Sequence, residues 1–301
     1  MAHEQLIHLK SDLRFSFTSL QLAFDSFLLD AEARRLKPAT IRFYRQQIQP
    51  FIDSLSTQGV ITPEGIKAQH IRRHMVAMQR KGLADASVHA SARAIRAFCN
   101  FMVREELLEK SPMRKVQMPK MEQRILPAFT PEDVQRLLAV CNHERDKAIV
   151  LCLLDTGCRA SEFIALNVGD VDIHSGKVVV LQGKGGKQRV TFLVAKARKA
   201  LLKYFMARGG MQEDGPLWPG LNSDKRLTDS GLRLLLRRLG RRAKVDHCHP
   251  HTFRRTFALW SLRAGMNIYA LQRIMGHSDL SIFRRYLALV EEDLHDAHRF
   301  P

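Results

Sequence analysis

From Ser19 onward the apolar residues of the chain fall at helical spacing. Leu20, Phe24, Phe27 and Leu28 recur at intervals of three and four, and Ile41, Tyr44, Ile48 and Phe51 do the same after a break at Pro38. Side chains spaced in this way share one face of an α-helix, which can then be buried against a neighbour. Two further helices are predicted, around Gln69–Lys81 and Ser87–Glu106, each with Arg and Lys among its apolar positions. Residues 18–111 therefore read as a small all-helical domain with a basic face. Residues 1–17 show no clear period and are expected to form a loose arm.

The pattern breaks between Ser111 and Ala128, where Pro112, Pro119 and Pro127 lie among basic residues. Proline interrupts helices and favours open geometry, so residues 112–128 are expected to be an extended linker. A second domain, residues 129–301, opens at Thr130-Pro131-Glu132-Asp133. Thr130 can cap a helix there, Pro131 suits the first turn, and the acids favour the N-terminal end. Lys177–Leu181 and Gln188–Leu193 read as strands joined through Gly183-Lys184-Gly185-Gly186, a β-hairpin with a glycine turn. Helices are expected near Ala148–Leu154, Ala195–Arg208, Thr228–Ala243, His251–Ala264 and Asn267–Met275. The fold class is mainly α with a small β-hairpin: an all-helical N-terminal domain, then an α+β domain that ends in a short tail. No internal repeat or low-complexity tract interrupts this plan.

A chain of 301 residues suits two domains, and a hydrophobic content of 45% is enough for real cores. The charge narrows the choice of partner. Lys and Arg number 48 against 30 Asp and Glu, a net charge of +18, and such a field favours a polyanion. No apolar run has the length of a membrane span, and the first residues lack the apolar core of a signal peptide. No membrane partner and a cytoplasmic location are therefore expected. The five cysteines, Cys99, Cys141, Cys152, Cys158 and Cys248, are odd in number and show no C-x-x-C pair, so reduced and mostly buried thiols are expected.

Four segments carry polar residues that a plain core would not need. In Thr156-Gly157-Cys158-Arg159-Ala160-Ser161-Glu162, Gly157 is a natural end for the preceding helix, and Glu162 lies one turn after Arg159. Read alone, this is an arginine held by a carboxylate, for which a surface ion pair is the commoner explanation. Lys184 sits in the glycine turn, where a solvated lysine is the commoner use, and Lys187 and Arg189 compete for any role assigned to it. In His249-Pro250-His251-Thr252-Phe253-Arg254, His251 and Arg254 share a helix face. Asp246, His247 and Cys248 nearby raise the thought of zinc, but no paired ligands at finger spacing accompany them. Last come Gly276-His277-Ser278 and Tyr286, which alone would read as a half-buried amphipathic tyrosine.

Together these segments supply two arginines, a lysine, two histidines and a tyrosine, types that suit phosphoryl transfer without a metal. Guanidinium groups can grip the non-bridging oxygens of a phosphodiester, and fixed cations then stabilise the charge that builds up under attack. Lys184 could protonate a leaving oxygen. Tyr286 is a weak nucleophile while protonated, since tyrosine has a pKa of about 10, and a cluster of histidine and arginine would ease loss of that proton.

The order T-G-C-R-x-S-E, G-K-G, H-x-x-R, G-H-S and Y resembles the tyrosine recombinase (phage integrase) family, in its compact Xer-like two-domain form. The resemblance covers nearly the whole chain from about Ser19. It implies that Arg159 and Arg254 hold the scissile phosphate and that Lys184 is the general acid. It further implies that His251 assists proton transfer at the tyrosine, that His277 hydrogen-bonds the phosphate, that Tyr286 is the nucleophile and that Glu162 is a supporting acid. The implied function is site-specific recombination of double-stranded DNA through a 3′-phosphotyrosine intermediate, in integration, excision or resolution of DNA elements. No cofactor is implied, because the ester retains the bond energy and neither ATP nor a metal is needed. The resemblance also implies a C-shaped clamp of a core-DNA-binding domain and a catalytic domain, a tetramer on two DNA sites formed by this chain alone or with a closely related recombinase, and a tail that packs against a neighbouring protomer.

One departure stands out: Phe253 and Arg255 flank Arg254 where the family usually has leucine and histidine. Three rival readings have their own discriminators. A type IB topoisomerase-like enzyme would relax supercoils as a monomer, a non-catalytic DNA-binding protein would be indifferent to Tyr286→Phe, and a metal nuclease would depend on Mg²⁺.

Overall fold

The computed structural model describes residues 19–119, 127–181, 188–210, 212–220 and 223–276. The arm at 1–17, the glycine turn with Lys184, and His277, Tyr286 and the tail lie outside the described residues. The chain divides into two compact units, Met1–Arg124 and Ile125–Pro301.

Among the described residues of the first unit, four α-helices form: α1 (Leu20–Ala33), α2 (Pro38–Ser56), α3 (Ala68–Arg80) and α4 (Asp85–Arg104). Ser19 starts α1 by accepting the Leu22 amide at 3.2 Å, one of the donors a helix leaves unpaired at its N-terminus. Leu20, Phe24, Phe27 and Leu28 are all buried, as are Ile48 and Phe51 of α2, while Ile41 and Tyr44 pack at the margin. The centre of this core is aromatic, with Phe98 of α4 5.8 Å from Phe24 and 5.6 Å from Phe27. Arg72, Arg73 and Arg80 of α3 and Arg93 and Arg96 of α4 remain exposed, so the basic residues interleaved with the apolar ones do not enter the core.

The proline-rich stretch differs from expectation at its start. Pro112–Lys115 forms a 3₁₀ turn, with Met113 and Val116 buried in the core of the first unit. Three residues per turn bring positions i and i+3 to one side, so both apolar side chains reach the core and the chain is anchored there instead of extended.

The second unit contains α5 (Pro131–Ala139), α6 (Glu144–Thr156), α7 (Ala160–Ala165), strands β1 (Lys177–Val180) and β2 (Arg189–Phe192), α8 (Ala195–Arg208), α9 (Asp229–Ala243), α10 (Pro250–Arg263) and α11 (Ile268–Met275). Thr130 caps α5 as expected, and its hydroxyl and the Asp133 carboxylate exchange hydrogen bonds with each other's backbone amides. Helix α6 is buried along nearly its whole length, against α8 and α10. Trp218 is fully buried and stacks on Phe163 at 4.9 Å and on Tyr204 at 5.8 Å. The strands pair antiparallel, with Val180 opposite Arg189 and Lys177 opposite Phe192. All five cysteines are buried and free. Among the described residues no helix is long and apolar enough to cross a membrane.

Near the C-terminal end of α6, the Asp155 carboxylate accepts the Val194 amide at 2.8 Å. Burial pushes its pKa from the ordinary 3.8 up to about 6, against the lowering effect of that hydrogen bond. A carboxyl whose folded pKa is raised adds stability that is fully present below pH 3.8 and lost as the pH rises through about 6. Asp155→Asn keeps an acceptor without a charge. It is expected to raise the melting temperature above pH 6 and to flatten the melting profile between pH 4 and 6, which thermal denaturation across that range will read.

Candidate active site

The site is built where four chain segments meet. The first is the turn after α6. Gly157 ends that helix with φ +55°, the left-handed conformation that lets a helix stop within one residue. A Cβ on Gly157 would lie 2.3 Å from Cδ1 of Phe257, so glycine is required by both its dihedral and its neighbour. Arg159 then caps α7. Its backbone amide donates to Oε2 of Glu162 at 2.8 Å, and its Nη1 donates to Oε1 at 2.8 Å. The Glu162 side chain is 2% exposed and that of Arg159 29%. This is an arginine anchored by a buried acid while its guanidinium stays open to solvent, not an ion pair lying on the surface.

Helix α10 supplies the second face. Pro250 occupies its first turn, and His251 and Arg254 follow one turn apart on the same face. Arg254 is buried. Its Nη1 donates to the carbonyl of Gly157, and its Nη2 to that of Met275 at 2.8 Å. Burial and the nearby Arg159 guanidinium lower its pKa to about 10, which leaves it protonated at neutral pH. His251 is exposed at its edge, yet the protein around it and the arginines Arg233, Arg254, Arg255 and Arg159 hold its pKa below 6.5. Its imidazole is therefore neutral near pH 7 and can accept a proton.

The two unusual neighbours of Arg254 have separate tasks. Phe253 is fully buried with its ring 4.8 Å from that of Phe129, and Arg255 donates to the carbonyl of Pro127 at 2.8 Å. Arg255 thus ties down the start of the second unit.

The third segment is β2. Arg189 and Thr191 face inward, and Val190 and Phe192 are exposed. The pleat places alternate residues on opposite sides, so the inward side of this strand is its polar one. Arg189 Nη2 meets Oε2 of Glu162 at 2.6 Å, and Nε donates to the carbonyl of Ile274 at 2.7 Å. The sequence signalled nothing beyond a basic residue near the turn; what decides its place is the register that puts it beside Thr191 on the buried side.

The fourth segment is the end of α11, capped by Gly276 at φ +63°. The carbonyls of Ile274, Met275 and Gly276 accept from Arg189, Arg254 and Arg159 respectively, the last at 3.2 Å. Three guanidinium groups and one buried carboxylate are thereby gathered at one point. Burial would raise the pKa of Glu162, but the hydrogen bonds from Arg189 and Arg159 outweigh it and the pKa ends below the ordinary 4.5. Of the residues singled out in the sequence, Arg159, Glu162, His251 and Arg254 lie in this cluster, while Lys184, His277 and Tyr286 lie outside the described residues. Among the described residues no group of three or more His, Cys, Asp or Glu side chains is placed to share a metal ion.

Residues 127–292 match the model of the phage integrase family, and residues 24–106 match that of the phage integrase N-terminal SAM-like domain. The tyrosine recombinase XerC of Bacillus subtilis is 32% identical over 271 residues, 86% of this chain and 88% of that protein. XerC of Roseiflexus castenholzii is 29% identical over 283 residues, 90% of each chain. The chain belongs to the phage integrase family, as a site-specific tyrosine recombinase.

Solved structures of other recombinases share its fold. A XerA recombinase superposes with a TM-score of 0.52 at 24% identity, covering 93% of this chain and 98% of that one. A lambda integrase dimer bound to a COC' core site gives 0.73 at 15% identity, covering 88% and 97%. A XerH recombinase bound to its palindromic difH substrate gives 0.69 at 17%, covering 89% and 81%.

The recombinase depends on Gly157 to place Arg159 directly after α6. Gly157→Ala is expected to lower the unfolding free energy by about 2 kcal/mol, from the left-handed dihedral and the contact with Phe257 together. Urea denaturation monitored by circular dichroism will measure the loss.

Proposed function

We propose that the recombinase cleaves and rejoins duplex DNA at a specific site by attack of Tyr286 on a backbone phosphate, which yields a 3′-phosphotyrosine ester and a free 5′ hydroxyl. The observation that carries this reading is the pairing of Arg159 and Arg254. Both are held by backbone carbonyls of the same turn, at Gly276 and Met275, and Glu162 steadies Arg159. Two guanidinium groups so placed can grip the non-bridging oxygens of one phosphate, and their charge is fixed before the reaction begins.

Each remaining residue takes the step its chemistry suits. Neutral His251 assists removal of the Tyr286 proton, and Lys184 protonates the leaving 5′ oxygen. His277, next in the chain after Gly276, hydrogen-bonds the phosphate. Attack by the 5′ hydroxyl of a partner strand on the ester reverses the chemistry and releases Tyr286. Each transfer exchanges one phosphoester for another, so rejoining needs no nucleotide cofactor. Two DNA sites held by four protomers provide the partner strands, and the net charge of +18 supplies the attraction for the duplex. The substrates named for the structural relatives, a COC' core site and palindromic difH, support a duplex recombination site as the substrate here. The protein acts in the cytoplasm, where that DNA lies.

A suicide duplex, nicked so that the cleaved strand end diffuses away, tests the reading. In EDTA, the wild-type protein is expected to form a covalent protein–DNA adduct on a denaturing gel, and Tyr286→Phe none. An adduct that persists in Tyr286→Phe would place the nucleophile elsewhere.

A further inference from the structure

Arg189 belongs to none of the roles assigned above, yet it touches two other segments of the site, at Glu162 and at Ile274. Its side chain is 8% exposed, and its guanidinium joins the Glu162 carboxylate to the α11 terminus. Its stem packs against Gly276, where an added Cβ would sit 3.1 Å from Cδ of Arg189. It is the first residue of β2, immediately after the segment that carries Lys184. One buried side chain thus links the hairpin, the Arg159 turn and the turn that leads to His277.

Its effect on Arg159 follows from the lone pairs of Glu162. Oε2 already accepts the Arg159 backbone amide at 2.8 Å and Arg189 Nη2 at 2.6 Å. Oε1 alone is left for the Arg159 side chain, through the single bond from Nη1. Without Arg189, the planar fork of Arg159 could close on the carboxylate with two parallel bonds, the geometry that such pairs favour. Its donors would then face Glu162 and not a phosphate. Arg189 also makes the pair costly, because its own Nη1 is buried and has no hydrogen-bond partner among the described residues. A buried ion pair with an unpaired donor is a poor way to add stability, since apolar side chains fill such space at no such cost.

Resting on the functional reading above, we propose that Arg189 is a positioning residue for strand cleavage: it occupies one oxygen of Glu162 so that Arg159 is held by the other and presents its free donors to the scissile phosphate. A role exerted through Arg159 has a signature that a structural role lacks. A methylphosphonate at the scissile position is neutral, and it asks less of the arginines that compensate phosphate charge. A defect that arises in Arg159 must shrink on that substrate.

The test measures single-turnover adduct formation on the suicide duplex and on its methylphosphonate version, for wild type, Arg189→Lys, Arg189→Gln and Arg159→Lys. Arg189→Lys preserves the charge but cannot make both bonds of the fork. Both Arg189 variants are expected to melt and bind DNA close to wild type and to cleave the ordinary duplex about a hundred-fold more slowly, the scale of a small misplacement of a reacting group. On the methylphosphonate their defect is expected to shrink in the same proportion as that of Arg159→Lys. Wild-type rates in both variants would overturn the proposal. So would an equal loss on both substrates, or a loss that comes with failed folding or DNA binding, since either marks a structural strut. No adduct from wild type, or normal cleavage by Arg159→Lys, would overturn the functional reading itself and the positioning role with it.

Discussion

A buried carboxylate between two arginines is the interaction on which the site depends. Glu162 is almost wholly enclosed, and an isolated charge there would be expensive to bury. It is tolerated because Arg159 and Arg189 reach it from opposite directions, one from the turn after α6 and one from β2. Removing both partners would leave a charge that the surrounding protein cannot solvate. The pair of contacts therefore locks the hairpin to the helix turn, and neither element can shift without breaking a charged hydrogen bond.

The end of α11 completes the arrangement in a different way. A helix leaves its last carbonyls without partners, and these carry the negative end of its dipole. Here three of them are met by three guanidinium groups. The arginines gain acceptors that hold them in place without neutralising them. One carboxylate against three arginines leaves this cluster two positive charges in excess, among the described residues. Burial and the neighbouring Arg159 both oppose the charge of Arg254 and lower its pKa to about 10. A phosphate would relieve that opposition. Under the proposed function, the scissile phosphate would supply the anion that this cluster lacks.

Much of this was legible in the chain itself, and for a simple reason. Helical period is a local property, so Phe24 and Phe27 or Ile48 and Phe51 announce a buried face without knowing its partner. Thr130 and Pro131 mark a helix start, and Gly157 and Gly276 mark ends, because caps and left-handed turns are set by a few adjacent residues. At Pro112–Lys115 the chain turns where its prolines predict an extended path. Proline there opens a short turn, and only the core beside it shows that Met113 and Val116 have somewhere to go. Arg189 looked like one more basic residue near a glycine turn, since the strand pattern gives no hint that its polar side faces inward.

The sequence by itself determined the family, the two helical cores and the residue types available for phosphoryl transfer, since motif order and apolar spacing are written along one dimension. Only the tertiary structure decided that Glu162 is buried, that Arg159 stays partly open while Arg254 does not, and that Arg189 bridges the hairpin to the α11 turn. Those outcomes depend on which elements pack together across more than a hundred residues, as with Arg159 and Gly276, and on the loss of water that packing brings. Burial is what turns an ordinary ion pair into a fixed support, and it exists only once the chain has folded.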